Sequence, residues 1–116
     1  MSRVVVNKPQ PLDPESKEES ERVRLAFGAC LRKLRHDKLM TIEQVADIAG
    51  LHENYISSVE RGERNVSLFN IWRIASGLGL TAAELMADLP VRKVKYRGSK
   101  PKPLRENVYV GGRPVA

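Results

Sequence analysis

Within the stretch DIAGLHENYISSVERGERN, Asp47 to Asn65, the side chains able to do chemistry are Glu53, Asn54, Tyr55, Ser57 and Ser58, followed by Arg61, Arg64 and Asn65. An amide, a carboxylate and hydroxyls at this spacing donate and accept hydrogen bonds, but nothing beside them makes or breaks covalent bonds. The chain has no nucleophile–base pair at close spacing and no phosphate-binding glycine loop. Its one cysteine, Cys30, lies on an apolar helical face and reads as a small buried hydrophobe. His36 and His52 are far apart and lack a cysteine pair, which sets structural zinc aside; no cofactor is expected. The chemistry on offer is recognition, not catalysis.

The elements that must position these groups can be read from local signals. With 116 residues, 41% hydrophobic and only 5% aromatic, the composition suits one small helical domain better than a β-sandwich. Pro9, Pro11 and Pro14 make residues 1–15 an irregular arm. Ser16 to Glu19 matches a capping box and opens a first helix with Val23, Phe27, Cys30, Leu31 and Leu34 on one face, fading near Asp37. Thr41 to Gln44 is a second capping box, starting a helix through Ala49 whose inner face is marked by Val45, Ile48 and Ala49. Gly50 stops that helix with a positive φ, and a third helix comes next over about 52–61. Ser67 caps a fourth, with Leu68, Ile71, Trp72 and Ala75 inward, and Thr81 to Glu84 opens a fifth that ends at Pro90. The expected fold is all-α: five helices in residues 16–90, with flexible tails at 1–15 and 91–116.

Ala46 where two helices cross, Gly50 at the turn, and Val45, Leu51, Ile56 and Val59 as branched or apolar locks together satisfy the steric demands of a helix-turn-helix. In such a unit the second helix enters the major groove. The region from about Phe27 to Leu89 resembles the XRE family, the lambda-repressor-like helix-turn-helix domains. The matching words are LRKLR at 31–35, TIEQVADIAGL at 41–51, NYISSVERGERNVSL at 54–68 and LTAAEL at 80–85. The run YISSVERGERN is particularly similar to restriction–modification controller proteins.

That resemblance implies a transcriptional regulator in a bacterium or phage, a dimeric repressor or autoregulatory controller. It would bind double-stranded DNA at a palindromic operator and pair as a homodimer through the region of helix 5, around Leu80, Leu85, Met86 and Leu89. It implies a structural ion pair between Arg35 and Glu60, an assignment that a partly buried arginine would also require. Its base-reading positions fall on Glu53, Asn54 and Ser58, with Tyr55 used in the controller branch. Periodicity independently turns Glu53, Asn54, Ser57 and Ser58 away from the stripe Leu51, Ile56 and Val59. Asn54 suits adenine N6 and N7, Glu53 suits the cytosine amino group, and serine is permissive. Phosphate contacts are expected from Arg61, Arg64 and Asn65 beside the start of helix 4, and from Thr41 and Gln44 at the start of helix 2. The chain has Ile42 where many family members carry a phosphate-binding glutamine.

Charge is distributed unevenly. Residues 1–20 hold three basic and four acidic side chains and 21–90 nine of each, whereas 91–116 hold eight basic and one acidic, so the last segment, at +7, carries the whole net excess of the chain. Lys93, Lys95, Arg97, Lys100, Lys102 and Arg105 would supply sequence-independent attraction to phosphate. A competing reading is an antitoxin or adaptor whose tail captures an acidic protein. MSRVVVNKPQPLDP has no signal-peptide apolar core and no run is long enough to span a bilayer, so the expected setting is cytoplasmic and nucleoid-associated, without membrane contact.

Overall fold

The computed structural model describes residues 11–93. The expectations for the extreme tails lie outside the described residues, including Lys95, Arg97, Lys100, Lys102 and Arg105. Five helices run in order: α1 Pro14–Asp37, α2 Ile42–Ala49, α3 Glu53–Glu60, α4 Leu68–Leu78 and α5 Ala82–Leu85.

Helix α1 starts earlier than the Ser16 capping box suggests. Asp13 is the N-cap and its carboxylate accepts from the Ser16 amide at 2.7 Å. Pro14 occupies the first turn, where a missing N–H costs nothing and a fixed φ is already helical. Thr41, Ser67 and Thr81 cap α2, α4 and α5 as expected, and both capping boxes close in full. Helix α5 is shorter than expected: it ends at Leu85, and the chain turns through Met86 to Leu89 before Pro90.

The core is built from Phe27 and Leu31 of α1, Val45 and Ala46 of α2, Ile56 and Val59 of α3, Ile74, Ala75 and Leu78 of α4, and Leu85. Each of the larger fully buried side chains stabilises the fold by about 1.5–3 kcal/mol through removal from water. Four expected core positions instead face solvent: Val23, Ile48, Leu68 and Trp72. Helix α4 explains the error. LFNIWRIASGL is apolar at nearly every position, so a stripe through 68, 72 and 75 and one through 71, 74, 75 and 78 fit the helical period about equally. Packing on α2 selects the second. In α2 the buried set is Val45, Ala46 and Ala49, one position away from Ile48.

Helix α1 crosses close to the end of α3 at Gly28. A Cβ there would be driven into the Val59 carbonyl oxygen and lie 2.6 Å from that of Glu60. The end of the third helix is thus held against α1 by backbone approach as well as by side chains.

Candidate nucleic-acid interface

The arrangement grows from two helix starts that face the same hollow. At the start of α2, Thr41 Oγ1 accepts from the Gln44 amide at 3.1 Å while Gln44 Oε1 accepts from the Thr41 amide at 2.8 Å. The Gln44 carbonyl is therefore engaged in capping, and only its NH2 remains for an outside acceptor. At the start of α3, His52 is the N-cap, with Nδ1 accepting from the Asn54 amide at 3.0 Å. An accepting Nδ1 requires the ring proton to sit on Nε2.

Between these starts lies a concavity of about 490 Å³ lined by Arg35, Met40, Thr41, Ile42, Glu43, Glu53, Asn54 and Ser57. The structure thus brings together four of the expected contact residues: Thr41, Glu53, Asn54 and Ser57. Glu53 and Asn54 are exposed, while Ser57 is half-buried and accepts from Arg61 Nη1 at 2.7 Å. Glu43 was not anticipated. Its place two residues after a helix cap is the ordinary site for an acid facing a helix dipole, which hides any second role.

The cation in this hollow is already spent. Arg35 grips Glu60 with Nε to Oε2 at 2.6 Å and Nη2 to Oε1 at 2.9 Å, and its Nη1 donates to the Met40 carbonyl at 3.0 Å. Both side chains are nearly buried, at 10% and 7% exposure. The hydrogen bonds it donates to Glu60 raise the Arg35 pKa further, against the opposing effect of burial. The pair ties the end of α3 to α1 and to the turn before α2. With Arg35 neutralised, Glu43 and Glu53 leave the concavity better suited to amino-group donors than to phosphates.

Ser58 does not join it. The residue is buried, its hydroxyl donating to the Tyr55 carbonyl at 2.6 Å and accepting from Arg64 Nε at 3.0 Å. The turn after α3 folds back over it, with the Glu63 amide bonded to the Ser58 carbonyl at 3.0 Å. Helical period alone places Ser58 on the outer face; the covering turn buries it instead. Tyr55 is half-buried, its hydroxyl accepting from Asn70 Nδ2 at 3.2 Å and its ring centroid lying 6.0 Å from the Arg64 guanidinium carbon.

The expected phosphate contacts are also rearranged. Arg61 is paired with Glu63, whose hydrogen bond raises the arginine pKa and lowers that of the carboxyl. Both are half exposed, so the pair can open towards an outside anion. Arg64 is exposed but anchored on Ser58, and Asn65 lines separate grooves beside α1, with Val23. Among the described residues no cluster of His, Cys, Asp and Glu could hold a metal ion, and no helix is long and apolar enough to cross a membrane.

Comparison with known proteins adds independent information. A family model described as helix-turn-helix matches residues 31–85. The chain is 43% identical over 68 residues to the control protein C.MunI of Mycoplasma sp, covering 58% of this chain and 92% of that protein. It is 45% identical over 65 residues to the control protein C.BamHI of Bacillus amyloliquefaciens, covering 55% and 80%. The crystal structure of the restriction–modification controller protein C.AhdI from Aeromonas hydrophila superposes with a TM-score of 0.52 at 44% identity, over 53% of this chain and 92% of that one.

Proposed function

The chain belongs to the helix-turn-helix family, and on that premise we propose that it is a sequence-specific DNA-binding transcriptional regulator. It acts as a dimeric repressor or autoregulatory controller and reads the major groove with α3. The observation that carries this reading is the concavity between the starts of α2 and α3, where exposed Asn54 and Glu53 project from a helix whose far end is locked by Arg35 and Glu60. A hollow between two helix starts, with fixed hydrogen-bonding groups, suits base edges, and a near-neutral surface limits attraction to the wrong sequence.

A lone head of this size covers few base pairs, so two heads on half-sites about 34 Å apart are needed for useful affinity. The dimer contact is placed around α5, where Leu80, Met86 and Leu89 keep part of their surface; Leu85 is fully buried and is unavailable for it. The basic residues Lys93, Lys95, Arg97, Lys100, Lys102 and Arg105 supply the sequence-independent attraction that the core lacks.

Selection of duplexes from a randomised library by the full chain tests the reading. Enrichment of a palindrome with half-sites one helical turn apart supports it, and tight binding without any enrichment counts against it. Replacing those six basic residues by glutamine should weaken binding to enriched and scrambled duplexes alike and flatten the salt dependence. Unchanged salt slopes would remove the tail from DNA binding.

A further inference from the structure

We propose that Arg73 of α4 sets the angle of the reading helix by clamping the turn between α2 and α3, and that the surface aromatics Phe69 and Trp72 are the shelf that holds it. The inference rests on the DNA-reading role proposed for α3. Helix α2 ends at Ala49, and the carbonyls of its last turn have no partner further along the helix. Arg73 reaches them from another element: Nε donates to the Ala49 carbonyl at 2.9 Å and Nη2 to that of Gly50 at 3.0 Å. A guanidinium holds its donors in a rigid planar fork, so binding two successive carbonyls fixes the rotation of the peptide between them. Its charge also lies at the negative end of the α2 dipole.

The outer face of the clamp is aromatic. The Arg73 guanidinium carbon lies 5.2 Å from the Phe69 ring centroid, and Trp72 stacks on Phe69 with centroids 6.1 Å apart and planes 18° from parallel. Two large apolar side chains that face water at 61% and 62% exposure thereby acquire a role that core packing does not give them. Gly50 completes the fit, because a Cβ at that position would stand 2.5 Å from Arg73 Nη2.

Such a clamp is not a requirement of the turn itself. Gly79 has almost the same backbone, φ 68 against φ 70 at Gly50, yet a Cβ there would meet nothing within 4 Å. The two glycines differ in the elements they lead into. Gly50 is succeeded within four residues by Glu53 and Asn54, whereas Gly79 leads only to α5. Arg35 holds α3 at its end, and Arg73 holds the turn from which it starts. Arg73 is thus a positioning residue that acts through Glu53 and Asn54.

The test uses the full chain as wild type, Arg73→Met, Arg73→Lys and Phe69→Ala. Each is titrated with the duplex that the wild type enriches from a randomised library and with a scrambled duplex of the same composition, well below the melting temperature. Native-state amide exchange is measured at Leu51 and, as an internal control, at Leu80, whose amide makes the matching bond after Gly79. Arg73→Met should lower affinity for the enriched duplex by about tenfold or more while leaving the scrambled duplex within about twofold, since base hydrogen bonds depend on alignment and phosphate attraction does not. Exchange at Leu51 should accelerate by about tenfold or more with Leu80 unchanged. Lysine, with one donor group in place of a fork, should restore only part of the loss, and Phe69→Ala should act in the same direction to a smaller extent. Equal losses on both duplexes, or equal acceleration at Leu51 and Leu80, would overturn the clamp. If the wild type enriches no sequence, the DNA-reading role itself fails, and exchange at the two amides still decides whether Arg73 holds the turn.

Discussion

Helices α1 to α4 end in the same backbone form and are finished in two different ways. After each, one residue enters the left-handed region: Leu39 at φ 55, Gly50 at φ 70, Gly62 at φ 76 and Gly79 at φ 68. The next amide in each case bonds back to a carbonyl five residues earlier, Met40 to Arg35 at 3.1 Å, Leu51 to Ala46 at 2.9 Å, Glu63 to Ser58 at 3.0 Å and Leu80 to Ala75 at 2.9 Å. The first three turns are then closed by a guanidinium, Arg35 on the Met40 carbonyl, Arg73 on those of Ala49 and Gly50, and Arg24 on that of Gly62. The turn at Gly79 has no such closure among the described residues. The three braced turns flank α2 and α3, the elements that line the concavity, so bracing tracks function where the local motif is common to all four.

The largest effect should come from breaking the first brace. Arg35→Met leaves Glu60 nearly buried without its partner and should lower unfolding free energy by about 3–5 kcal/mol, read by urea denaturation. A stable variant that has lost DNA binding would show instead that Arg35 contacts DNA. Gly50→Ala combines a left-handed alanine with collision against Arg73 and should cost about 2–4 kcal/mol by the same measurement. Gly79→Ala carries only the backbone cost, about 1 kcal/mol, partly offset by the stiffer unfolded chain. Equal losses at the two glycines would erase the distinction between a clamped turn and an open one. The smallest effect has the opposite sign. Leu39 is 91% exposed in a conformation that disfavours a side chain, so Leu39→Gly should stabilise by about 0.5–1 kcal/mol.

What could be read in advance was what local chemistry decides. Thr41, Ser67 and Thr81 as caps, Gly50 as a stop and the outward direction of Asn54 depend on residues within one turn of one another, and each is found in place. The Arg35 and Glu60 pair spans 25 residues, and it was accessible only because the family resemblance supplied the partner. The burial of Ser58 is not legible from helical period, because the turn that covers it lies after the helix. The Asp13 cap was missed because a full S-x-x-E pattern begins three residues later, and only the adjacent proline discriminates between them. Arg73 offered no signal at all: its target is a backbone carbonyl 24 residues away, which has no letter in the sequence.

The most direct measurement is duplex selection repeated with wild type and Asn54→Ala, full chain in both cases, at near-physiological salt. If the exposed start of α3 reads bases, the wild type yields a palindrome and the variant loses preference at one symmetry-related pair of positions, at a cost of about 1–3 kcal/mol per half-site, with the rest of the motif intact. The same motif recovered with equal strength from both proteins would contradict the DNA-reading role of α3, because the side chain placed at the centre of the reading surface would then read nothing.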